Sequence, residues 1–190
     1  MNSDATKSTS SKWSAKQMAM IGLMAAVICI LGPLSISIPV SPVPISLGLL
    51  GVAFAVYMLG MKKGTLSVLI YLLLGLVGLP VFSSFSGGFG KLFGPTGGYL
   101  IGYIPMALIV GFFVEKWPSK IWLHLVGLVL GTAFCYLLGT LWLSYQAGMS
   151  FSAALAAGVL PFIPADIVKI LIVLLLGSLL RKRLLKAGLV

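Results

Sequence analysis

Two ionisable residues, Asp166 and Lys169, stand in an otherwise apolar stretch, PADIVKILI at 164–172. Ionisable side chains inside hydrocarbon cost several kcal/mol and are rarely kept without a role. At i and i+3 they share one helix face and set a carboxylate acceptor beside an ammonium donor. For a helix that enters the membrane near Pro161, a rise of about 1.5 Å per residue puts Asp166 about 8 Å and Lys169 about 12 Å below that end. Side chains lean toward the helix N-terminus, so both groups reach back toward the outer connections. One reading is a structural ion pair that pins the helix in its bundle. The other is a ligand site, and the outer-half depth and a nearby glycine-rich connection favour it.

That connection ends in Gly94-Pro95-Thr96-Gly97-Gly98-Tyr99, which opens a helix. Free backbone N–H groups at such a start suit a carbonyl or carboxylate, although the same residues also describe a helix start with close packing. Lys91 in the same loop either attracts an anion or is simply solvated. The Gly90-Lys91 pair is followed by Leu92, with Phe85 where a Walker A loop needs its first glycine, so this is no nucleotide loop of that kind. His124, the single histidine, has no carboxylate or cysteine near it in sequence, which argues against a metal site or catalytic triad.

The elements that must position these residues follow from composition. The 190 residues are 59% hydrophobic and 8% charged, too few charges to cover a water-soluble domain of this size. The expected fold is an all-α membrane protein, a bundle of about six transmembrane helices, with spans near 14–31, 45–61, 64–79, 97–115, 121–146 and 161–181. Residues 1–12 are polar and are expected to form a disordered tail, leaving 13–190 as a single six-helix transmembrane domain. Eleven of the thirteen Lys and Arg then fall on one side, which the positive-inside rule makes cytoplasmic, together with both termini. The same rule accounts for the net charge of +10 without nucleic acid.

The outer connections differ in kind from the short, charged inner ones. Residues 39–45, PVSPVPI, hold three prolines and read as a stiff extended segment, whereas 83–98 hold six glycines that allow close backbone approach. Cys29 and Cys135 fall inside spans and imply no disulfide framework. In the first span Ala15, Ala19, Gly22 and Ala26 form a small-residue stripe, suited either to internal packing or to docking a partner subunit. Trp13, Trp117 and Trp122 fall near the inner boundary, and Trp142 near the outer one, as an interface anchor or a pocket wall.

Three segments in order, SPVPISL at 41–47, FGPTGGYLIGY at 93–103 and PADIVKILI at 164–172, resemble the BioY family, the biotin-specific substrate-binding (S) components of energy-coupling factor (ECF) transporters. The resemblance spans the chain after the polar tail. It implies capture of biotin at the outer face of a bacterial cell membrane, without a cofactor or catalysed reaction, and work with a transmembrane coupling subunit and two ATPase subunits. It also implies a pocket of Asp166, Lys169 and the loop from Gly94 to Tyr99, with Phe85, Phe93, Tyr99 and Trp142 as candidate apolar walls. Many family members have a glutamine and a threonine after PVPI where this chain reads Leu47-Gly48-Leu49, so Gln146 is the candidate replacement contact. The rival expectations are an S component for another vitamin, a stand-alone proton-coupled carrier in which Asp166 titrates, and a structural factor that binds no small molecule.

Overall fold

The computed structural model describes residues 13–37, 39 and 41–189; the expected tail at 1–12 lies outside them. Helix α1 (Ala15–Leu31) begins at a capping box in which Ser14 Oγ accepts the Gln17 N–H and Gln17 Oε1 accepts that of Ser14. A short antiparallel hairpin, β1 (Ser35–Ile36) and β2 (Ile45–Ser46), leads into α2 (Gly48–Leu59). The second span, expected from 45, begins three residues later as a helix, because Ile45 and Ser46 pair with Ile36 and Ser35.

Only Gly60 separates α2 from α3 (Met61–Leu76). Its φ of 83° is left-handed, and the Glu115 carboxylate occupies the space a Cβ would need while accepting the Met61 N–H at 2.8 Å. The glycine-rich connection carries the single turn α4 (Phe89–Leu92) before α5 (Gly97–Lys116), and α6 (Ile121–Ala147) returns antiparallel to α5. These two make the most extensive helix contact in the molecule. The approach is close because small residues face the partner: a methyl on Gly98 would overlap Trp142 and one on Gly139 would overlap Tyr99.

Helix α7 (Phe151–Gly158), capped by Ser150, lies across the end of α6. The last span runs as α8 (Ile163–Ile172), a π-helical turn (Val173–Gly177) and α9 (Ser178–Lys186). Three segments are long and apolar enough to cross a membrane, Gly97–Lys116, Ile121–Ala147 and Ile163–Lys186, while α1 and α2 are shorter apolar helices. The main core gathers Ile28, Val52, Val56, Tyr71, Met106, Val110 and Leu128 from α1, α2, α3, α5 and α6, and a smaller one gathers Val43, Tyr99, Leu143, Ala154 and Phe162 at the end where Asp166 lies.

Candidate functional site

Pro164 occupies the first turn of α8, where its missing N–H costs nothing, and the helix then carries Asp166 and Lys169 inward. They are 5% and 6% exposed, which makes them core residues despite their charge. Lys169 Nζ lies 2.6 Å from Asp166 Oδ1, the only ion pair among the described residues. The second carboxylate oxygen, Oδ2, accepts the hydroxyl of Tyr136 from α6. Lys169 Nζ also donates to the Ser46 carbonyl at 2.7 Å, which ties the hairpin to α8. Each buried charge is thereby paired and further hydrogen-bonded, the condition under which low-dielectric burial is tolerated.

These groups line a cavity of about 60 Å³. Val43, Pro44, Ile45 and Ser46 of the hairpin wall it on one side, with Leu49, Tyr99, Tyr103, Cys135 and Phe162 around the polar pair. The volume lies below the roughly 300 Å³ at which small-molecule pockets usually begin, so a ligand of several rings enters only if the hairpin gives way. Chemically the site offers a carboxylate that accepts, an ammonium and a phenol that donate, and aromatic walls. That set matches a compact ligand whose polar head carries both N–H groups and a carbonyl.

The structure separates the residues singled out by sequence. Asp166, Lys169 and Tyr99 line the cavity together. Gly94, Pro95, Thr96, Gly97 and Gly98 do not: the Gly94 carbonyl accepts Trp142 Nε1 at 2.9 Å, and Gly97 and Gly98 are packing glycines against Leu92 and Trp142. Trp142 therefore clamps the loop rather than walling the pocket. Phe93 is exposed and stacks on Phe89, and Phe85 is exposed at a φ of 52°. Gln146 is exposed too, its Nε2 donating to the Phe93 carbonyl at 2.9 Å, and it lies outside the cavity, which Leu49 lines. Partial burial of Lys91 in the loop holds its ammonium below the usual lysine pKa, yet it too lies outside the cavity.

The family model described as "BioY family" matches residues 5–186. The chain belongs to the BioY family. Among curated relatives, "Biotin transporter BioY" of Thermotoga maritima is 40% identical over 167 residues, covering 88% of this chain and 96% of that protein. "Biotin transporter BioY2" of Lactococcus lactis subsp. cremoris is 33% identical, covering 88% and 91%. The crystal structure of the "S-component for biotin from an ECF-type ABC transporter" superposes with a TM-score of 0.83 at 36% identity, covering 88% of this chain and 91% of that one. A BioY-family chain is a transporter component, not an enzyme.

Within this BioY-family site, sequence reasoning missed Tyr136, Tyr103, Cys135, Phe162 and the wall formed by Val43 to Ser46. The period of α6 supplied a usable signal: Cys135, Gly139, Leu143 and Thr132 are buried on one face, and Tyr136 borders it. The hairpin wall lies within SPVPISL at 41–47, a segment that marked the family but named no contact, because Ser46 contributes through its backbone carbonyl, which any residue carries. The α1 stripe resolves differently from the pocket. Ala15, Ala19, Gly22 and Ala26 all face outward, and nothing lies within 4 Å of a Cβ built on Gly22, whereas α1 packs inward through Ile21, Met24, Ala25 and Ile28. Internal packing is thus not what the stripe serves.

Proposed function

We propose that this chain captures biotin from outside a bacterial cell and delivers it as the S component of an ATP-driven ECF importer. The observation that carries the reading is the buried Asp166–Lys169 pair, held by Tyr136 and Ser46 in an aromatic cavity of a BioY-family chain. Biotin's ureido ring has two N–H donors and one carbonyl. Asp166 accepts the N–H groups, and Lys169 meets an oxygen, either the ureido carbonyl or the valerate carboxylate. The apolar thiophane ring packs against walls such as Tyr99, Phe162 and Leu49. On this reading the chain has six spans, keeps both termini and the basic connections in the cytoplasm, and opens the cavity to the outer face.

The outward stripe of Ala15, Ala19, Gly22 and Ala26 supports docking to a transmembrane coupling subunit, since small residues let a second helix approach closely where this chain supplies none. Two ATPase subunits attached to that subunit would supply the energy. Equilibrium binding of labelled biotin to the purified protein tests the core of the proposal. Saturable binding well below micromolar, lost in Asp166→Asn and Lys169→Ala and not competed by other vitamins, is the expected result; no binding by a monodisperse wild type overturns it.

A further inference from the structure

The opposite, basic end of the bundle holds a second cavity of about 270 Å³, larger than the one around Asp166. Its polar walls are Tyr57, Ser119, His124, Ser178, Arg181 and Lys182. The π turn Val173–Gly177 inserts an extra residue into the last helix and changes the face it presents beyond that point. Gly177 then presses on Tyr57, where a Cβ would lie 2.8 Å from ring carbon Cδ1. One turn later Arg181 Nη1 donates to the carbonyls of Tyr57 at 2.8 Å and Met58 at 3.1 Å, at the C-terminal end of α2, where the helix dipole favours a cation. The guanidinium is anchored by one nitrogen, and its other donors are not used by these bonds.

His124 forms a fixed wall. Its Nε2 faces the Trp117 carbonyl at 3.0 Å and must carry the proton there, so Nδ1 accepts the Tyr57 hydroxyl at 2.7 Å. Neither Arg181 nor Lys182 has an ion-pair partner among the described residues, where Lys169–Asp166 is the single pair. The one acid near this end, Glu115, accepts the Met61 N–H and lies near enough to Arg181 to attract its charge, but makes no ion pair with it. Ile121, the first residue of α6, also lines the cavity, and this helix begins without a side-chain cap. Guanidinium, ammonium, the Ser119 hydroxyl and the start of α6 thus border one open volume, while Ser178 Oγ donates to the Leu175 carbonyl at 3.0 Å; the basic pair and Ser119 make a donor set suited to a phosphate.

We propose that this cavity binds a phosphate group, carried by the headgroup of an anionic phospholipid or as free inorganic phosphate. The lipid source fits the surroundings. Leu185 lines the cavity, and Leu179 and Leu180 beside it face outward, so acyl chains have an apolar path next to the headgroup site.

The test uses the full chain in discs of phosphatidylcholine with and without phosphatidylglycerol, retained lipid being counted by native mass spectrometry, and a separate titration with inorganic phosphate. Expected is preferential retention of phosphatidylglycerol, reduced roughly tenfold by Arg181→Gln and by a similar factor in Lys182→Gln, the loss of one charge-assisted hydrogen bond to the phosphate. Lys182→Gln removes no anchoring bond to α2, so it keeps the test informative if Arg181→Gln fails to fold. Arg183→Gln, which lies outside the cavity, changes nothing. Saturable, Arg181-dependent binding of inorganic phosphate without lipid preference upholds the site and assigns it to the free anion. Equal retention of both lipids with no phosphate binding overturns the proposal, as does an equal loss in Arg183→Gln. If Arg181→Gln instead only releases a co-purifying partner protein, the cavity is a protein-docking surface and the proposal falls.

Discussion

Lys169 and Ser46 lie 123 positions apart in sequence, yet the lysine ammonium sits 2.7 Å from the serine carbonyl. One bond therefore joins the buried ion pair to the hairpin that closes the cavity. Any ligand that draws Lys169 toward its own oxygen competes with that bond, so occupancy of the site and position of the hairpin are coupled.

Removing one partner of the pair is expected to do more harm than removing both. Lys169→Met leaves Asp166 without its counter-charge at 5% exposure, at a cost of about 3–5 kcal/mol. The double variant Asp166→Asn with Lys169→Met should regain most of that stability and still bind no biotin. Melting temperatures in detergent, read beside a binding isotherm, check both halves; a double variant no more stable than Lys169→Met refutes the coupling.

Tyr136→Phe deletes the hydroxyl that donates to Asp166 Oδ2 and leaves the ring in place. Hydrogen bonds to charged groups contribute about 1.5–3 kcal/mol, so biotin affinity should fall roughly tenfold to a hundredfold as the carboxylate loses its orientation. Calorimetric titration measures this, and unchanged affinity would remove Tyr136 from the site.

Gln146→Ala should leave biotin affinity within about twofold of wild type, because a surface substitution of this kind usually shifts energies by no more than about 0.5 kcal/mol. Its amide serves the Phe93 carbonyl at an exposed position. A large loss of affinity would return Gln146 to the binding residues.

Gly98→Leu should destabilise the chain without touching the cavity directly, since the new side chain would have to displace Trp142 from the α5–α6 seam. Overpacking of this kind costs about 1–3 kcal/mol. A lowered melting temperature is the expected readout.

Gly22→Trp separates binding from transport. The site has open space around it, so the isolated chain should fold and bind biotin normally. Uptake by cells that contain the ATPase module should be lost, because the bulky ring blocks close approach of a second helix. Normal uptake would remove the stripe as a docking surface.

The helical bundle and the Asp166–Lys169 pair were legible in the sequence because both are local signals. Long apolar runs bounded by charge, glycine or proline mark helices in a lipid solvent. A carboxylate and an ammonium three residues apart on one of them must share a face. The loop motif from Gly94 to Gly98 was ambiguous for an equally physical reason. Glycines that allow a backbone to approach a ligand are the same glycines that allow it to approach Trp142, and spacing alone does not distinguish the two.

By itself, then, the sequence determined a lipid-facing helical bundle, a basic end opposite the Asp166–Lys169 end, and the family, since each depends on composition, periodicity or motif. Only the tertiary structure decided that Tyr136 completes the coordination of Asp166, that Ser46 caps Lys169, that Gln146 and Trp142 stay outside, and that Arg181 lies under the end of α2. Those contacts join residues 30 to 124 positions apart, and they exist only once the packing of α2, α5, α6 and α8 has set which faces meet.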